Sequence, residues 1–199
     1  KDMRKLVLTA LVVSSAVASQ ALTVSFVGTG AGVQPADTNF GSNLFAGILK
    51  WNTPAPVDAV CADATTLINT ANQPFPVIVT PTSAMSANFQ KAGHILATHY
   101  SPSFSNTDAA ALQIAVWEAI YDNGLAPDFS NGGFKLNSDP GAGIVTQATT
   151  FYGATSGVAY HWGSTVQGFQ AQLTPVPEPA TLAAVGLGAA ALIRRRRRA

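Results

Sequence analysis

The chain holds one cysteine, Cys61, and one glutamine set deep in an apolar stretch, Gln113 in Leu112-Gln113-Ile114-Ala115-Val116-Trp117-Glu118. These two residue types can react with each other. A thiol held against a glutamine amide can attack its carbonyl carbon, expel ammonia and leave an internal thioester. Cysteine suits the task because its thiolate is a strong nucleophile and its free pKa of ~8.5 leaves some thiolate near neutrality. Glutamine is a poor acyl donor, so orientation must supply much of the barrier, roughly 7–11 kcal/mol in the best intramolecular cases. An amine could later attack the Gln113 carbonyl, form a stable amide and release the thiol. Such an event occurs once per molecule, which is capture and not enzymatic turnover. The plainer alternative is a buried free thiol beside a glutamine whose amide is hydrogen-bonded, as a buried amide must be.

Other chemistry is less well supported by spacing. A cysteine hydrolase would pair Cys61 with His94, His99 or His161, but no local motif places a general base within reach. His94 and His99 are five apart on one expected helix and face different ways, a poor metal pair. No metal site and no cofactor are therefore expected. Gly28-Thr29-Gly30-Ala31-Gly32 lacks the lysine of a phosphate loop and reads as a flexible connection. Trp51, Trp117 and Trp162 read as core aromatics before sugar platforms.

The helix residues Leu112-Gln113-Ile114-Ala115-Val116-Trp117 resemble the Leu-Gln-x-Ala-[Ile/Val]-Trp segment of thioester (TQXA-type) domains of bacterial surface adhesins. Val60-Cys61-Ala62-Asp63 is similar to the family's pattern of cysteine, apolar residue, polar residue. The resemblance spans about Val57 to Asp122. It implies a Cys61–Gln113 cross-link and, as a partner, an amine-bearing surface or matrix polymer.

Both residues need elements to position them. Ser83 is placed to cap a helix from Ala84 to about His99, which Pro102 stops. Thr107 or Asp108 caps a second helix, Ala109 to Tyr121, closed by Asn123-Gly124. Its stripe of Leu112, Ala115, Val116, Ala119 and Ile120 is wide enough to predict burial. Strands are expected at Leu22–Val27, Leu44–Trp51, Val57–Cys61, Val77–Thr80 and Val158–Trp162. Phe169, Ala171 and Leu173 alternate with Gln170 and Gln172, the period of a half-buried strand. The expectation is an α+β domain over residues 22–174: an antiparallel β-sandwich or barrel-like sheet around a central helical pair.

Both ends read as address labels. Arg4 and Lys5, the apolar run Leu6–Val13 and the small-residue exit Ser19-Gln20-Ala21 form a signal peptide over residues 1–21, with cleavage after Ala21, or Ala18 as second choice. Residues 175–199 hold Pro177-Glu178-Pro179, an uncharged stretch over 180–193 and Arg194 to Arg198. That stretch is expected as a single hydrophobic helix, short of the ~20 residues that cross a bilayer comfortably. The order resembles the PEP-CTERM sorting signal. The resemblance implies a Gram-negative host, exosortase as partner, transient inner-membrane anchoring through 180–193, and delivery to the cell surface or extracellular matrix.

The net charge of +1 and pI of about 8.1 come from these ends. Between them, three lysines (Lys50, Lys91, Lys135) face eight carboxylates, a balance of −5 with no arginine. A surface without clustered cations does not hold phosphates, so nucleic acid is not an expected partner. With one cysteine there is no disulfide framework. Two functions remain: covalent capture by a surface adhesin, or a non-covalent structural or exopolysaccharide-associated protein of the biofilm matrix.

Overall fold

The computed structural model describes residues 20–53, 55–68, 73–122, 126–166 and 169–175. The expected signal peptide up to residue 19, the Pro177-Glu178-Pro179 motif and the apolar tail lie outside the described residues. No helix among the described residues is long and apolar enough to cross a membrane.

The chain opens with a long antiparallel hairpin, β1 (Gln20–Thr38) and β2 (Gly41–Asn52), joined by the two-residue turn Asn39-Phe40. The Gly-rich segment 28–32 is therefore strand, not loop. Irregular register at Phe26/Gly28 and Thr29/Gly32 absorbs its glycines. At the Gly32↔Gly47 pair the two backbones run so close that a Cβ on Gly47 would strike the Ala31 carbonyl and the Gly32 backbone. Small residues here permit an approach that larger ones would forbid.

Four shorter strands complete the sheet: β3 (Pro56–Cys61), β4 (Phe75–Pro81), β5 (Tyr160–Gly163) and β6 (Gln172–Thr174). They close an antiparallel barrel in the order β1-β2-β3-β6-β5-β4. The barrel alternative holds over the sandwich. Closure leaves no sheet edge unpaired and so no template for pairing with another chain. The expected strand around Phe169–Leu173 is shorter and later, and Gln172 is fully buried instead of facing out. β1 starts at Gln20, and Gln20 and Ala21 pair with Val79 and Ile78 of β4. Cleavage after Ala18 would leave that pairing whole, whereas cleavage after Ala21 would remove it.

Three helices pack with the barrel. α1 (Ala87–His99) begins after a 3-10 turn at Thr82–Ala84, with Ser86 instead of Ser83 at its N-cap. α2 (Asn106–Tyr121) is capped by Ser105, whose Oγ accepts the Asp108 N–H at 3.1 Å and donates to the Asp108 carboxylate at 2.6 Å. Asp108 thus answers the cap from inside the first turn through the serine hydroxyl. α2 is buried on every face from Ala109 to Ala119, against α1, α3, β1, β2 and β3. A helix apolar all round belongs at a centre. α3 (Ile144–Tyr152) was not expected from sequence. Inside the barrel, Trp51 and Trp162 meet edge to face at 6.3 Å and Trp51 also packs on Phe169, the core role expected of them.

Candidate functional site

Cys61 is the last residue of β3, and Gln113 lies in the first half of α2. The fold brings them together. Gln113 Oε1 accepts the Cys61 backbone N–H at 2.8 Å, and Gln113 Nε2 donates to the Cys61 carbonyl at 2.8 Å. The reason lies in the sheet: β2–β3 pairing stops at Leu49↔Ala59 although β2 runs on to Gly41, so Cys61 has no partner in that strand. The primary amide supplies the donor and acceptor that β2 no longer offers. On the opposite side, Cys61 pairs with Gln172 and the Ala62 N–H donates to Ala171 O at 2.8 Å.

α2 grips the turn after β3 with three side chains four residues apart, a spacing that stacks them on one face. Gln113 holds Cys61. Trp117 lies beside the thiol. Tyr121 Oη accepts the Ala64 N–H at 3.0 Å. Asp63 shapes the same turn through its Oδ1, which accepts the Thr65 N–H at 2.9 Å and the Thr65 hydroxyl at 2.6 Å. From β6's approach, Gln170 Nε2 donates to Asp63 O at 2.9 Å and Thr66 O at 2.6 Å. Tyr121, Gln170 and Gln172 were not singled out from sequence. The i+8 position of Tyr121 relative to Gln113 was the available signal.

Cys61 is 2% exposed and Gln113 fully buried. The thiol donates to the Asp63 carbonyl at 3.1 Å. Burial pushes its pKa from 9.0 up to about 12, with the nearby Trp117 indole pulling the other way. Trp117 Nε1–H nevertheless makes no aligned hydrogen bond to any acceptor. A cavity of about 340 Å³ reaches Cys61 and Trp117 from outside, walled by Phe26, Leu44, Phe45 and Leu49. None of the three histidines lines it. His99 instead stacks on Phe151 at 4.5 Å, and His161 packs against Phe89 with its pKa pushed down to about 4 by burial. No group of three metal-ligating side chains occurs among the described residues.

Immediately after Trp117 the helix buries a carboxyl. Glu118 is 2% exposed; its Oε1 accepts the Asp128 N–H at 2.8 Å, while Oε2 has no partner. Burial, offset in part by that N–H and reinforced by the charges of Asp122 and Asp128, raises its pKa to about 7.

For the tail, the comparison with known families is decisive. Residues 175–198 match the PEP-CTERM protein-sorting motif. The motif implies export, exosortase as the sorting partner and a transient membrane anchor before surface release. The match stops at the tail, and nothing in the comparisons extends the resemblance to thioester domains into residues 22–174. No curated protein and no solved structure matches the chain.

Proposed function

We propose that this is an exosortase-sorted protein of the cell surface or matrix whose barrel domain captures an amine through a Cys61–Gln113 thioester. The observation that carries the reading is the amide of Gln113 seated on Cys61 by two 2.8 Å hydrogen bonds in a buried pocket. The sulfur attacks Gln113 Cδ, the C–N bond breaks, and nitrogen leaves as ammonia with the thiol's proton. An incoming primary amine then attacks the same carbon. The C–S bond breaks, a proton from the amine passes to sulfur, and an amide remains. In both steps negative charge develops on the oxygen that is now Oε1. Cys61 N–H already points at it, a preorganised donor of the kind that lowers acyl-transfer barriers.

The cost is in the nucleophile. With a pKa of about 12, roughly one thiol in 100,000 is ionised at neutral pH. Formation is therefore slow, and the same dryness protects the product from water. One capture per molecule makes the protein a covalent adhesin, not an enzyme.

The second reading is a non-covalent matrix protein in which Gln113 is a latch on β3. The satisfied amide and the protonated thiol favour it. Intact mass of the purified exported protein separates the two. Capture requires a mass lower by one ammonia, a gain on methylamine treatment, and neither feature in Cys61→Ala, which keeps the backbone groups that Gln113 binds. A chain at its calculated mass, with a thiol titratable only after denaturation, leaves the latch as the function of this pair.

A further inference from the structure

Cys61 and Gln113 differ in what can reach them. Cys61 lines the open cavity of about 340 Å³, whereas Gln113 is fully buried and lines no part of it. The cavity is therefore the approach by which an amine meets the acyl carbon, from the side of the sulfur. Its walls include Phe26, Leu44, Phe45, Leu49 and Ile68, and no charged side chain lines it. Thr29, Asn43 and Leu67, all exposed, stand at the mouth. The remaining amide, that of Gln170, donates to the carbonyls of Asp63 and Thr66. Asp63 itself is absent from the lining, and its Oδ1 accepts from Thr65. Inside the mouth nothing would pair an ammonium or replace the hydration of a row of hydroxyls.

We propose that this cavity selects the amine: it admits a primary amine at the end of an uncharged aliphatic stem, as on a lysine of a peptide, and refuses amino sugars and polyamines. Such selection rests on the thioester reading of Cys61 and Gln113. The four methylenes of a lysine can lie along apolar walls while its main chain stays at the mouth. The amine enters as the free base, because an ammonium would leave water for a site with no counter-charge. A polyamine brings a second ammonium, and an amino sugar brings hydroxyls that apolar walls leave without partners. About 340 Å³ lies at the small end of ligand sites, ~300–1,000 Å³, room for a stem and not for a polymer chain. In the capture step the N–C bond forms, the C–S bond breaks and an amine proton passes to sulfur.

The test follows the ammonia-deficient species of the purified exported protein by intact mass. n-Butylamine, Nα-acetyl-lysine methylamide, putrescine and glucosamine are supplied at equal free-base concentration. Each rate is divided by that amine's rate on a small soluble ethyl thioester, which removes differences in intrinsic reactivity. Butylamine and the lysine derivative should then agree, with putrescine and glucosamine about 10-fold slower or more. Leu67→Glu sets a carboxylate at the exposed mouth and should raise the putrescine rate relative to butylamine about 3-fold. Equal normalised rates for all four amines would overturn the selection and leave the thioester standing. Glucosamine reacting fastest would do the same and point to an amino-sugar polymer, and an unmoved ratio in Leu67→Glu would also count against the selection. Absence of any ammonia-deficient species would remove the thioester itself, and the selection with it.

Discussion

At Gln113 a side chain does the work of a strand. Its amide satisfies both main-chain groups of Cys61 where the pairing of β3 with β2 has stopped, so its loss should be felt even if no covalent chemistry occurs. Gln113→Met keeps the volume and removes both polar ends. Two buried backbone groups are then orphaned, at about 1–3 kcal/mol each. The expected outcome is a fall in the urea midpoint larger than that of Cys61→Ala; equality of the two would show that the amide contributes nothing there. Glu118 is the second residue with a readable consequence. Its pKa rises from 4.5 in the unfolded chain to about 7 in the fold, because burial outweighs the Asp128 N–H. Below pH 4.5 both states hold the proton and the burial costs nothing. As pH rises towards 7 the unfolded chain ionises freely while the folded one resists, so stability is lost across that window and does not return above it. The loss is on the order of 3 kcal/mol as an upper bound. Glu118→Gln, compared with the unaltered chain in urea melts at about pH 5 and about pH 8, should flatten this part of the slope. An identical slope in the variant would place the titration elsewhere.

Elements differ in how openly the sequence declares them. α2 was legible because its apolar residues repeat on all sides and Asn123-Gly124 follows it, and Gln113 stood out as the one amide in that stretch. Its cap was misplaced because Ser105, Thr107 and Asp108 all qualify, and only the reciprocal bond between Ser105 and Asp108 decides among them. α3 was hidden. Its start is Gly143 in a left-handed conformation with no side-chain cap, and its exposed face is threonine. Those hydroxyls back-bond to carbonyls four residues earlier, Thr149 to Val145 at 2.9 Å and Thr150 to Thr146 at 3.1 Å. Ile144, Ala148, Phe151 and Tyr152 did carry the helical period. The glycines of β1 misled for the opposite reason: they read as punctuation, yet serve the close approach of two strands. Gly47→Ala tests that role. Its methyl group would meet the Ala31 carbonyl and the Gly32 backbone, neither of which can swing aside, so the hairpin arms must part. A midpoint shift well beyond the ~1 kcal/mol expected of an ordinary strand substitution is predicted. A Gly47→Ala protein as stable as its parent would mean the arms separate at little cost.

On the scale of the whole molecule, folding and sorting are written in different stretches of chain. The described residues form a closed barrel with α2 packed against β1, β2 and β3, and the sorting match begins at 175, directly after β6 ends at Thr174. Adjacency of this kind lets the domain complete its sheet before the tail is handled. It also explains the charge asymmetry: Arg194 to Arg198 sit past the match's apolar stretch, where positive residues remain on the cytoplasmic side. Residues 180–193 are uncharged but shorter than the ~20 that span a hydrocarbon core comfortably, so they suit a temporary hold. If Pro177-Glu178-Pro179 is what the exosortase reads, deleting those three residues removes recognition without touching the barrel, the apolar stretch or the arginines. Uncleaved precursor should then accumulate in the inner-membrane fraction, its barrel folded outside, while the parent protein is recovered at the surface or in the medium. Immunoblots of fractionated cells report both size and place. Release of the deletion variant at the parent's rate and size would assign sorting to the apolar stretch and its arginines alone.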